Sequence, residues 1–299
     1  MIVARRVAAS LAMNVLLAGI AMPCASGPAS ADHPVEPSTL VITAVTPPAW
    51  VVRNGARAPL APRTALHPGE ILHTGSGGRV EGSLGRHGRL NLGADARLFV
   101  SDSGTATLRV FAGAFRISSP AAPAGAGWLV RLPGLSAGLG DAELWGRVTE
   151  SHQHLILRRG KAVVRTNAGE VLNMERTDDR LDLGPASPAA TVARATPAEI
   201  TRLLSETRFQ PGAGTLTPGG RWRVTILETP SEWRALATYD RLRDAGYPAL
   251  ISPSERRGEH VYGVAVSGMG SKAEAEAIAT RLRSHPDLEA GRLRLSKGR

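Results

Sequence analysis

A change of apolar period near residue 222 constrains this chain of 299 residues more than any other feature. Before that point, short runs alternate apolar and polar positions and break at glycine. Examples are Val80-Glu81-Gly82-Ser83-Leu84, Leu90-Asn91-Leu92, Leu98-Phe99-Val100, Leu108-Arg109-Val110, Leu155-Ile156-Leu157 and Ala162-Val163-Val164. A period of two places every second side chain on one face, so these runs read as strands joined by tight turns. Arg159-Gly160-Lys161 and Asn167-Ala168-Gly169 supply turn chemistry between Leu155 and Leu172. Residues 40–183 therefore predict an all-β domain, either a rolled sandwich or an irregular β-solenoid.

From Trp222 onward the period alternates between two and 3.6. Trp222, Val224 and Ile226 form a strand, and Thr229-Pro230-Ser231-Glu232 reads as a capping box opening a helix whose apolar face is Ala235, Tyr239 and Leu242. Gly246 suits a left-handed helix end, and Ala249 to Ile251 reads as a short strand. The plan then repeats: strand Tyr262, Val264, Val266; capping box Ser271-Lys272-Ala273-Glu274; helix face Ala275, Ile278, Ala279, Leu282; strand Leu293, Leu295. The order β-α-β-β-α-β over 221–299 predicts a ferredoxin-like α+β domain, a four-stranded antiparallel sheet with both helices on one face. The other face is left open for binding. Residues 184–220 read as a linker with one short helix, capped by Thr196 and running from Pro197 to Leu204, because Pro211 to Gly220 carries too much Gly and Pro for an element.

The amino terminus sets the compartment. Arg5 and Arg6 precede an apolar run from Val7 to Met22, then small residues ending in Ala29-Ser30-Ala31, the pattern of a secretory signal peptide over 1–31. Asn14 interrupts the run, which argues against an uncleaved anchor, and no later run is long enough to span a bilayer. Cys24, the only cysteine, is preceded by Pro23, which departs from lipoprotein processing; cleavage after Ala31 leaves no thiol for catalysis or a disulfide. The expectation is an exported periplasmic protein without a transmembrane segment. Removal of residues 1–31 takes away two arginines and no acid, so the net charge falls from +10 to +8. Of the 36 basic residues 33 are arginine, which is compatible with anionic partners. Aromatics at 4% argue against a deep aromatic-lined pocket.

Two resemblances follow from particular residues. The last eighty or so residues resemble a SPOR domain through Trp222-Arg223-Val224-Thr225-Ile226, Leu242-Arg243-Asp244-Ala245-Gly246-Tyr247-Pro248-Ala249, Val261-Tyr262-Gly263-Val264-Ala265-Val266 and Ser271-Lys272-Ala273-Glu274-Ala275-Glu276-Ala277. That resemblance implies a periplasmic module that binds peptidoglycan glycan strands stripped of stem peptides, often at the division septum. Arg223 stands where the family commonly has glutamine and Ile226 where it has serine. The first half resembles a FecR-type domain through Trp50-Val51-Val52-Arg53-Asn54-Gly55, Leu66-His67-Pro68-Gly69-Glu70-Ile71-Leu72-His73-Thr74-Gly75 and Leu108-Arg109-Val110-Phe111-Ala112-Gly113. It implies a periplasmic β module of the kind named for an iron-uptake signalling regulator. Such regulators carry a cytoplasmic segment and a membrane helix that this sequence lacks, which disfavours transmembrane signalling.

Strand parity predicts the site. Val224, Ile226, Val264, Val266, Leu293 and Leu295 face the helices, so Arg223, Thr225, Gly263, Ala265, Arg292 and Arg294 face outward. The guanidinium groups suit the lactyl carboxylates of bare glycan, and the small residues offer a flat floor for sugar rings.

Catalytic and cofactor readings are weaker. His152 and His154, two apart on a predicted strand, have no third metal ligand placed beside them, and Asp178-Asp179 with Asp182 lacks calcium-loop spacing. Gly134-Leu135-Ser136-Ala137-Gly138 matches a nucleophile elbow in letters without its strand and helix. The C-terminal topology is shared with RNA-recognition modules, but Gly263 and Ala265 occupy the face where those stack bases on aromatics. The expectation is thus a non-catalytic protein without cofactor, metal or nucleic-acid partner. It would bind peptidoglycan glycan strands through the C-terminal domain, with the β module as an interaction or scaffolding domain and envelope or division proteins as further partners. The alternative is an envelope sensor whose modules bind only proteins.

Overall fold

The computed structural model describes residues 40–299 except 86–87, 103–105, 120–127, 185–186, 257, 287, 289–292 and 299. The signal segment and Arg292 lie outside the described residues. The described residues form one compact unit.

The first half is a branched sheet of fifteen strands. In chain order these are β1 (Leu40–Thr46), β2 (Ala49–Arg53), β3 (Ala56–Pro59), β4 (Ala65–Leu66), β5 (Ile71–Thr74), β6 (Arg79–Leu84), β7 (Gly88–Leu92) and β8 (Arg97–Asp102). They continue as β9 (Ala106–Ser119), β10 (Trp128–Arg131), β11 (Leu135–Val148), β12 (Gln153–Thr166), β13 (Val171–Met174), β14 (Asp179–Gly184) and β15 (Ser187–Arg194). The three long strands β9, β11 and β12 change partners halfway along. One run of neighbours, β3-β2-β5-β8-β9-β10-β11-β12-β13, uses the first halves of β9 and β11 and the second half of β12. A second run, β4-β1-β6-β7-β9-β11-β12-β14-β15, uses their other halves.

The bends lie at shifts of register. Between Leu139 and Ala142 the β11–β12 ladder slips, and Gly160 takes φ +77° there, with Asp141 so close that any Cβ would collide with its carbonyl. The two runs fold onto a common core. Leu72, Leu98, Leu108, Val130 and Val164 from the first run join Ile42, Val80, Leu90, Phe115, Leu144 and Leu155 from the second in one buried cluster.

The stretch 184–220, expected to be a linker, is largely attached structure. In β15 Ala190 and Val192 turn into the core, an alternation masked in sequence by the flanking prolines and serine. Helix α1 (Pro197–Thr207) follows with the expected cap: Thr196 Oγ1 accepts from the Glu199 N–H, and the Glu199 carboxylate accepts from the Thr196 N–H. Its Leu203, Ile200 and Leu204 cover Ala114, Trp145 and Ile156 on the outside of the second run.

The C-terminal half comprises β16 (Trp222–Thr229), α2 (Glu232–Asp244), β17 (Ala249–Arg256), β18 (Glu259–Met269), α3 (Lys272–Arg283) and β19 (Arg294–Lys297). Its sheet order is β17-β18-β16-β19, every ladder antiparallel, so the first and last strands are neighbours. Both helices pack on one side: Ala235 and Leu242 of α2 and Ala275, Ile278 and Leu282 of α3 share a cluster with Val224, Ile226, Val264 and Val266.

Two caps differ from expectation. The cap of α2 is Ser231, which accepts from the Arg234 N–H, because Thr229 still pairs with Tyr262 and its hydroxyl is taken by the Ser231 N–H. At α3 Ser271 accepts from the Glu274 N–H as expected, but the Glu274 carboxylate turns away to accept from the backbone N–H groups of Gly212 and Thr215.

That turn fastens the halves together. Val45 and Leu216 exchange backbone hydrogen bonds of 3.0 and 2.7 Å, and Thr217 donates to the Gly268 carbonyl at 2.8 Å. The hydroxyls of Thr46 and Thr215 bond at 2.8 Å, and Arg281 donates to the carbonyls of Pro47 and Ala213. Trp50 Nε1 donates to the Asp244 carbonyl at the end of α2. The next turn closes by Gly246 N–H to Arg243 and Tyr247 N–H to Leu242, with Gly246 at φ +81° and its α-carbon so near Trp50 that a Cβ would sit 2.7 Å from the indole.

Candidate functional site: the outer face of the C-terminal sheet

With both helices on one side, the opposite face of β17-β18-β16-β19 carries the outward side chains. The register sets Arg294 opposite Thr225, Thr225 opposite Ala265, and Ala265 opposite Leu250; in the next row Ser296, Arg223 and Ser267 align. Arg223 and Arg294 are exposed and Gly263 is half-buried. Thr225 and Ala265 point the same way but retain only 8% and 6% of their surface, hemmed in by the larger side chains paired with them, so they can supply a floor and little direct contact. Leu250, 53% exposed on the edge strand, is the large apolar group of this face.

The sequence pattern missed Glu228. Strict alternation from Arg223 and Thr225 sends Leu227 outward and Glu228 inward. A bulge leaves Ile226 unpaired between Thr225–Ala265 and Leu227–Val264, so the parity inverts and Glu228 lies opposite Gly263 on the outer face. Leu227 joins the helix-side core instead. The Glu228 carboxylate accepts two hydrogen bonds from Arg256, at 3.1 and 3.2 Å, across β18, and one from Arg294 at 2.6 Å. The face therefore holds a strip of cation, anion and cation beside Arg223, which has no ion-pair partner among the described residues. Only a local bulge signal could have revealed this, and Thr225-Ile226-Leu227, with no glycine, offers none.

The remaining sequence candidates are scattered. His152 precedes β12 and is tied into a turn by Thr149 and Ser151, while His154 on the strand bonds Asp182. Among the described residues no group of three or more His, Cys, Asp or Glu could hold a metal ion. Ser136 sits in a β10–β11 hairpin, where no helix follows it. Trp128 and Trp145 are core residues, whereas Trp233 on α2 is 76% exposed. No helix among the described residues is long and apolar enough to cross a membrane.

Residues 218–287 match the family model of the SPOR domain, which spans β16 to the end of α3. The chain thus carries a SPOR domain, a binding domain and not a catalytic one, and this supports a peptidoglycan-binding role in the cell envelope. No curated protein matches the sequence. Two crystal structures of a candidate anti-sigma factor from Parabacteroides distasonis ATCC 8503 are similar at 13% identity and a TM-score of 0.40, over 77% of this chain and 99% of that one, a likeness too distant to bear on fold or function.

Proposed function

We propose that this is a non-catalytic periplasmic protein of the cell envelope that holds bare glycan strands of peptidoglycan on the outer face of its C-terminal sheet. Arg223, Arg294 and Arg292 grip muramic carboxylates, and Gly263, Thr225 and Ala265 form the floor beneath the sugar rings. The β half acts as a FecR-type interaction module, and residues 1–31 direct export with cleavage near Ala31. The observation that carries the reading is the SPOR match over 218–287, which includes strand β16 with the exposed Arg223 on its outer face.

Sedimentation of the full chain with sacculi tests it. Amidase treatment, which strips stem peptides, should enrich the protein in the pellet over untreated sacculi. Replacing Arg223, Arg292 and Arg294 together by alanine should weaken that binding by roughly five- to tenfold, as expected for lost charge-assisted hydrogen bonds. Equal pelleting with treated and untreated sacculi would defeat the glycan reading; unchanged binding by the triple variant would move the site elsewhere on the domain.

A further inference from the structure

The outer surface of the first strand run in the β half has an unusual charge pattern. Cross-strand pairing aligns Phe99, Arg109, Arg131, Ser136, Arg165 and Val171 in one row, each directly opposite the next. A neighbouring row places His73 opposite Arg97 and Trp50 opposite His73, with Arg57 stacked 3.7 Å over the indole and Arg97 5.5 Å over Phe111. Directly opposite residues share a face, so all five arginines emerge on the same side.

None of Arg57, Arg97, Arg109, Arg131 and Arg165 has an acidic partner among the described residues. The Nε of Arg109 is buried with no hydrogen-bond partner. The contrast lies within the same half of the protein, where Arg116, Arg147, Arg158 and Arg180 are each ion-paired. A general arginine bias would leave both surfaces alike. The exposed large apolar side chains of the β half, Phe111 at 43%, Val163 at 44% and Val171 at 50%, are on this same arginine-bearing face. The accumulated positive field is felt at His73, whose pKa is lowered from its usual 6.5 by burial and then by Arg97 and Arg57.

We propose that this face docks on a bilayer rich in anionic phospholipid. The guanidinium groups meet the phosphodiester oxygens, which they can grip by paired N–H donors, and Phe111, Val163 and Val171 enter the interfacial layer. The chemistry selects this occupant over the others. Sugar rings would need a flat, polar floor, whereas exposed Phe111, Val163 and Val171 stand among the guanidinium groups here. A hydrated polyanion offers nothing to the exposed valines, and a second copy of the chain would set like charges against each other.

Flotation of the full chain with vesicles tests the proposal. Vesicles of about one part phosphatidylglycerol to two of phosphatidylcholine should retain the protein at least roughly tenfold better than pure phosphatidylcholine at low salt, and the difference should shrink as salt rises. Arg97→Gln, Arg131→Gln and Arg165→Gln combined should remove most of that retention, and Phe111→Ser should weaken it, both with unchanged far-ultraviolet circular dichroism. Arg223→Ala with Arg294→Ala serves as the control that leaves retention intact, separating this face from the glycan site. Equal retention on neutral and anionic vesicles, full retention by the triple variant, or capture by soluble heparin with none by vesicles would each overturn the assignment.

Discussion

Glu228 decides what the outer face of the SPOR domain presents. Its carboxylate is shared by Arg256 and Arg294, so one of the three arginines proposed to grip glycan is already partnered in the free protein. A ligand carboxylate must compete for Arg294, while Arg223 needs no such exchange. Both arginines are more than half exposed, so the ion pairs contribute little to folding and mainly set the charge offered to a ligand. Glu228→Gln is expected to tighten binding to amidase-treated sacculi about two- to fivefold and to steepen its dependence on salt, read from pelleting isotherms at two ionic strengths. The outward placement of Arg223, Gly263 and Arg294 was legible because strands alternate. Glu228 was not, since one extra residue at Ile226 reverses the alternation and leaves no mark in the side-chain pattern.

Elements with local signals were the most readable. The α1 cap depends on residues three apart, Thr196 and Glu199, and its reciprocal bonds form as the spacing requires. The α2 cap moved by two residues because strand pairing at Thr229, a long-range interaction, outweighed a local capping option. Strand β15 was hidden for the opposite reason, its small inward residues being too weakly apolar to stand out between prolines. Helix α1 is attached to the β half through a narrow contact in which Leu203, 3% exposed, is central. Leu203→Ala should cost about 2–3 kcal/mol, the usual loss for a truncated buried leucine, measured as a lower midpoint in urea without a change in slope.

At the scale of the whole molecule, the sequence suggested two domains on a loose tether. The connecting residues are held from both sides, by Val45 and Thr46 on one and by Gly268, Glu274 and Arg281 on the other. These partners are dozens to more than a hundred residues apart in sequence, and no periodicity records such pairings. Arg281 is buried enough that desolvation lowers its pKa against the opposing influence of Tyr247 and Glu274, and its guanidinium donates to the carbonyls of Pro47 and Ala213 on either side. Calorimetry of the intact protein should give one cooperative transition; Arg281→Ala combined with Glu274→Ala should separate it into two, with the SPOR transition at the lower temperature.

The exchange of backbone bonds between Val45 and Leu216 has a mechanical corollary. Tension arriving through a wall-bound C-terminal sheet would load these short bonds and the neighbouring carbonyl clamps at once, with no slack chain to absorb it. Pulling on one end of such a molecule reorients the other, so growth or turgor acting on the cell wall would turn the β half with it.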